Sequence, residues 1–199
     1  MKNLFEEIIE NCNHKKVESL CKSLSKKFSV KAGKDMEKLC HLTYWLYILG
    51  KNELVKKCIN ITHEIAFDQN FNVWTFIHLI NGLEIRILRQ EGKNNLADEI
   101  IDKMDNQLKM PIKNIPETVE KAEIRENKRR ERIVVENESN EKEIENSLKN
   151  NDIKTANEYR FIGIMRLMGK LETGFYGNIN KEREKVEIII EEYKKEILK

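Results

Sequence analysis

The chain is expected to fold as an all-α protein, a stack of antiparallel helical hairpins, and three observations carry that expectation. The first is a near-repeat: "LGKNELVKKCINI" at residues 49–61 returns as "EGKNNLADEIIDKM" at residues 91–104, with Gly50 and Gly92 separated by 42 residues. The second is the spacing that follows each Gly-Lys-Asn. Leu54, Val55, Cys58 and Ile59 in the first copy, and Leu96, Ala97, Ile100 and Ile101 in the second, recur at i, i+1, i+4 and i+5. On a 3.6-residue period this draws one apolar stripe. The third is composition: 2 Pro, 8 Gly and 35% charged residues leave too few turn-formers for a β-sandwich but suit long helices.

Taken in chain order, Leu4, Phe5, Ile8 and Ile9 predict a helix over 3–11, and Val17, Leu20, Cys21, Leu24 and Phe28 a second over 15–28, with Asn13 as its cap. Helices over 35–49 and 52–66, then 71–91 and 94–108, are the two hairpins around the repeated phrase. Gly50 and Gly92 can take the left-handed backbone that ends one helix, and Asn52 and Asn94 can cap the next. So short a joint forces the two helices back as antiparallel neighbours. The helix 71–91 is apolar almost all round in its first half, through Phe71, Val73, Trp74, Phe76, Ile77, Leu79 and Ile80, and so should be the most buried. Gly82 inside it costs about 1 kcal/mol against Ala, which points to a close helix crossing there. Pro111 and Pro116 set a boundary near 109–116. Residues 117–149 carry eight Lys or Arg and ten Glu, and are expected as an exposed helical arm or linker. Helices over 152–169 and 180–198 follow, the latter on the stripe Val186, Ile189, Ile190, Tyr193 and Ile197. The expected organisation is a repeat core at 1–110, the charged arm at 111–150, and a C-terminal hairpin at 151–199 packing on the core.

The stretches "YWLYILGKNELVKKCI" and "LEIRILRQEGKNNLADEII" resemble the tetratricopeptide repeat and its helical-hairpin relatives. In that family a small residue ends the first helix and another sits where the hairpin closes; Gly50 with Val55, and Gly92 with Ala97, occupy those places. The repeat here is longer than the usual 34 residues and lacks the Pro after its second helix. The resemblance implies a scaffold that presents a groove to a peptide or protein, and no catalytic residue.

Several function classes have no support. "MKNLFEEIIENC" places Glu6, Glu7 and Glu10 where a signal peptide needs an apolar run, and the weakly charged stretch 69–83 is shorter than a bilayer span. Four cysteines without a CxxC pair fit a reduced, cytoplasmic chain. Lys and Arg total 36 against 34 acids, a net charge of +2 that gives no global preference for nucleic acid. "KRRER" at 128–132 is ringed by Glu123, Glu126, Glu131 and Glu136, so nucleic acid is not an expected partner; a regulator binding it through Arg129 and Arg130 is an alternative.

No phosphate loop, nucleophile elbow or dinucleotide motif occurs, and no cofactor is expected. Helical ribonucleases of the HEPN kind place an Arg four to six residues before a His, whereas here every Arg lies at or after 86 and every His at or before 78. The His and Cys spacings fix no zinc site. Glu117 with Glu120, Glu123 with Glu126, and Glu99 with Asp102 match the acidic pairs of all-α nucleotide hydrolases, which leaves a magnesium-dependent enzyme as a competing reading. Trp74, His78 and Arg86 form a candidate polar cluster on one helix. "TGFYGN" offers Phe175 and Tyr176 as aromatic anchors of the sort that dominate interfaces. The favoured reading is a non-enzymatic module that binds another protein or peptide through the groove or end face of the stack, at Phe175, Tyr176, Trp74, His78 and Arg86. In general character, compact and rich in Lys, Asn, Ile and Glu, the chain is similar to bacterial immunity proteins that neutralise a partner toxin.

Overall fold

The computed structural model describes residues 2–111, 116–172 and 179–199, and within them the side chains other than those of 2, 71, 126–137, 170 and 179–182. Helices follow one another as α1 (Lys2–Asn11), α2 (Lys15–Lys26), α3 (Gly33–Ile48), α4 (Asn52–His63), α5 (Phe71–Gln90), α6 (Asn94–Leu108), α7 (Val119–Lys149), α8 (Ile153–Leu171) and α9 (Ile179–Ile197), and no strand occurs among the described residues. The periodicity therefore places each element within a few residues. The all-α stack is as expected, with helices packing pairwise in succession.

The two Gly-Lys-Asn joints are built alike. Gly50 and Gly92 take φ of 69° and 76°. The amide of Gly50 donates to Tyr47 and that of Lys51 to Leu46; the amide of Gly92 donates to Arg89 and that of Lys93 to Leu88. This paired 5→2 and 6→1 bonding satisfies the last carbonyls of α3 and α5. The helix starts differ from expectation. Asn52 and Asn94 are the first helical residues, and the N-caps are Lys51 and Lys93, which give no side-chain bond. The preceding turn already fixes the backbone there. His14, not Asn13, stands at the N-cap of α2.

A third joint of the same form links α7 to α8. Asn151 takes φ of 56°, its amide donates to Leu148, and that of Asp152 donates to Ser147. Asp152 then caps α8 by accepting from the amide of Thr155. Asn enters the left-handed region more readily than other non-glycine residues because its short polar side chain bonds locally.

Within the repeated part, α3 and α5 lie side by side and point the same way. Gly33 at the start of α3 meets Asn72 at the start of α5, and Tyr47 near the end of α3 meets Arg86 and Gln90 near the end of α5. Val55 and Ala97, the small residues of the resemblance, are both fully buried. The main core draws on α1 to α5 and on α8 and α9, while Trp74, Ile85, Ala97, Met104 and Leu108 form a smaller cluster between α5 and α6. All four cysteines are buried free thiols.

Helix α8 is laid across the face where α3 and α5 meet. Its Glu158 pairs with Lys16 of α2 at 3.7 Å, and Phe161 stacks on Trp45 of α3 with ring centroids 4.6 Å apart. His14 stacks on the other face of this aromatic pair, and His41 meets Phe161 edge-on. Further along, Gly169 meets Gly82 of α5 so closely that a Cβ on Gly82 would lie 2.0 Å from the Gly169 carbonyl oxygen. The crossing expected at Gly82 is thus present. Tyr44 completes the junction by donating its hydroxyl to the Leu79 carbonyl at 2.8 Å. Among the described residues no helix is long and apolar enough to cross a membrane.

Candidate functional site

Charge is buried at one end of this junction. Arg86, in the last two turns of α5, directs its guanidinium away from α6 and toward α8 and α9. It donates to both oxygens of Glu187 on α9 at 2.7 and 2.6 Å, and to Glu172, just beyond α8, at 3.2 Å. Arg89, one turn on, donates to Glu172 at 3.1 Å, and Arg183 of α9 donates to the same carboxylate at 3.0 Å. The side chain of Glu172 is only 3% exposed. Three guanidiniums therefore converge on one buried carboxylate, with Glu187 bridging two of them.

The electrostatics follow from that crowding. Burial pushes the Glu172 carboxyl up, but Arg183, with Arg86 and Arg89, outweighs it and holds the group below the usual carboxylate range. Burial would also discharge Arg86, and the hydrogen bonds to Glu187 and to the Tyr47 hydroxyl reverse that. Glu172 accepts from Arg86, Arg89 and both terminal nitrogens of Arg183, which uses its lone pairs fully, whereas Glu187 accepts two bonds from Arg86 and keeps an edge toward solvent. A cleft of about 360 Å³, lined by Arg86, Arg89, Gln90, Glu172, Arg183 and Glu187, opens over the cluster. Glu172 and Arg183 stand on either side of the 173–178 segment, so the salt bridge between them joins its two flanks.

Of the expected site residues, Phe175 and Tyr176 lie outside the described residues. Trp74 and His78 are buried on the α6 side of α5, with ring centroids 4.8 Å apart, and His78 Nε2 meets Gln107 Oε1 of α6 at 2.8 Å. Arg86 is two turns further along and faces α8 and α9, so these three residues form two separate environments rather than one. Glu84 pairs with His63 of α4 at 2.9 Å. The partners of Arg86 had no signal in the sequence beyond the i, i+4 spacing of Arg183 and Glu187, since nothing local connects positions 86 and 187.

Among the described residues no three His, Cys, Asp or Glu are grouped to hold a metal ion. Glu117, one of the acids considered for magnesium, is held by Arg125 Nε at 3.2 Å; Glu99, Asp102, Glu120 and Glu123 are exposed on separate turns. No curated protein and no solved structure matches the chain. One family matches it over residues 1–199, described as a family of unknown function (DUF6707).

Proposed function

Because the chain belongs to the DUF6707 family, which brings no activity with it, we propose from the geometry that it is a non-enzymatic protein-binding module whose contact surface is the end of the stack at Arg86, Arg89, Arg183 and Glu187. The observation that carries this reading is the buried ionic cluster. Apolar side chains of similar volume would hold α5, α8 and α9 together at least as well, because desolvating charges offsets most of their attraction. A cluster kept at such a cost fits a role in setting a surface, and it joins the two flanks of the segment bearing Phe175 and Tyr176. The end face is preferred to the groove because α8 already covers the seam between α3 and α5.

The most specific form of the proposal is an immunity protein that neutralises a toxin. Its test is a binding titration between the purified chain and the product of the adjacent open reading frame. A one-to-one complex is expected, weakened tenfold or more when Phe175 and Tyr176 are both changed to Ala, with the melting temperature unchanged. Absence of a complex removes the toxin form of the reading. A complex of undiminished affinity in the double variant removes the end face as the contact.

A further inference from the structure

The near-zero net charge conceals a segregated one. Residues 14–38 hold eight lysines and three acids. Lys22 pairs with Glu18, Lys16 with Glu158 and Lys38 with Asp35. Lys15, Lys26, Lys27, Lys31 and Lys34 are exposed, and their ammonium groups have no carboxylate or hydrogen-bond partner among the described residues. Elsewhere Lys56 and Lys93 are matched by Glu91 and Lys57 by Glu7, and lysines unpaired among the described residues, such as Lys103, Lys142 and Lys185, stand beside an acid in the sequence. Lys15 and Lys26 lie on one side of α2, and Lys27, Lys31 and Lys34 follow in the turn into α3 and its first turn. Lys15 and Lys26 are about 16 Å apart along the helix axis. Between them runs a surface concavity of about 460 Å³ lined by Lys15, Glu18, Ser19, Lys22, Ser23 and Lys26.

The composition of this face selects its ligand. Protein interfaces are depleted in Lys and anchored by aromatic or Arg side chains, and interfacial membrane helices need an apolar face. No large apolar side chain is exposed between residues 12 and 38: Val17, Cys21 and Leu24 are in the core, and Phe28 and Val30 pack against it. What remains outward is ammonium interleaved with hydroxyl, the pair that contacts phosphate and sugar, together with Glu18, whose charge Lys22 neutralises. Arg, the commonest reader of base edges, does not occur before residue 86. We propose that the Lys15–Lys34 face is a sequence-independent docking surface for the phosphodiester backbone of nucleic acid. This goes beyond the protein-binding reading and does not depend on it: the face is formed by α2 and the start of α3, away from the Arg86 cluster.

The test is fluorescence anisotropy of the full chain with two mixed-sequence 20-base-pair DNA duplexes and a mixed-sequence single-stranded RNA. Five neutralised phosphates give a log–log salt slope of about −4.5 on the duplex, a loss of about 500-fold in affinity between 50 and 200 mM salt. Replacing all five lysines with Gln should flatten the slope to near zero while the melting temperature holds, since none of the five is paired. Equal affinity for the two duplexes is expected, and comparison with the RNA tells which backbone is preferred. The proposal is overturned by no binding at 50 mM salt, by a tenfold preference between duplexes, or by binding lost in an Arg129→Gln, Arg130→Gln variant and kept in the lysine variant. Equal or tighter binding to polyglutamate or to phosphatidylserine vesicles would likewise overturn it, in favour of an acidic protein or a lipid surface.

Discussion

Gly82 is the residue on which the packing turns. Any side chain there meets backbone, since the Gly169 carbonyl oxygen lies 2.0 Å from the position a Cβ would take. Gly82→Ala should therefore cost about 3 kcal/mol or more, at the upper end of overpacking effects, and urea melts should show a lower midpoint with an unchanged slope. Glu172 works through charge. Glu172→Gln leaves buried Arg86 and the half-buried Arg89 and Arg183 without their shared carboxylate and should cost about 3 kcal/mol at neutral pH. Because the folded Glu172 is held below its ordinary value, its contribution is complete above the unfolded value of about 4.3 and disappears as pH falls through the lower folded one. The gap between wild type and variant should be constant from pH 7 to about 5 and narrow on further acidification; a gap that widens as pH falls would show that charge is not the cause. Gly82 was readable in the sequence, since a glycine inside a strongly apolar helix has a cost that only a close approach offsets. Glu172 was not, because two of its three partners are 83 and 86 residues away and periodicity carries no information across that distance.

At the scale of elements, helices and their joints were legible where local chemistry decides them. Apolar stripes placed α1 to α6, α8 and α9, and Gly50 and Gly92 announced their turns. The third joint escaped because Asn151 does the work of glycine, and an Asn in an Asn-rich chain is a weak signal. Gly92→Ala should cost about 1–2 kcal/mol through backbone strain alone, as nothing lies within 4 Å of the added Cβ. Asn151→Gly should have the opposite sign, raising stability by about 0.5–1 kcal/mol through relief of the same strain. Thermal melts of the two variants check both; a shift in the same direction for each would contradict the shared geometry. The expected caps at Asn52 and Asn94 were displaced by one residue, because the turn that ends the previous helix also sets the start of the next.

Across the whole molecule, the later part of the chain completes a core begun by the earlier part. Phe161 and Gly169 of α8 cover Trp45, Tyr44 and Leu79. A chain ending at residue 150 should expose these groups, bind a hydrophobic dye, and lose the sharp thermal transition of the full chain; a cooperative transition at the full-length temperature would show that α8 is dispensable. How α8 lies was not legible, since its sequence is apolar on most sides and names no particular neighbour. Once that crossing is known, the order of synthesis acquires physical meaning. Translation at about 5–20 residues per second leaves roughly 3–13 s between the emergence of α6 and that of the end of α8. During that interval the nascent protein carries a bare oily seam, so a ribosome making it has reason to recruit a chaperone late in elongation rather than early.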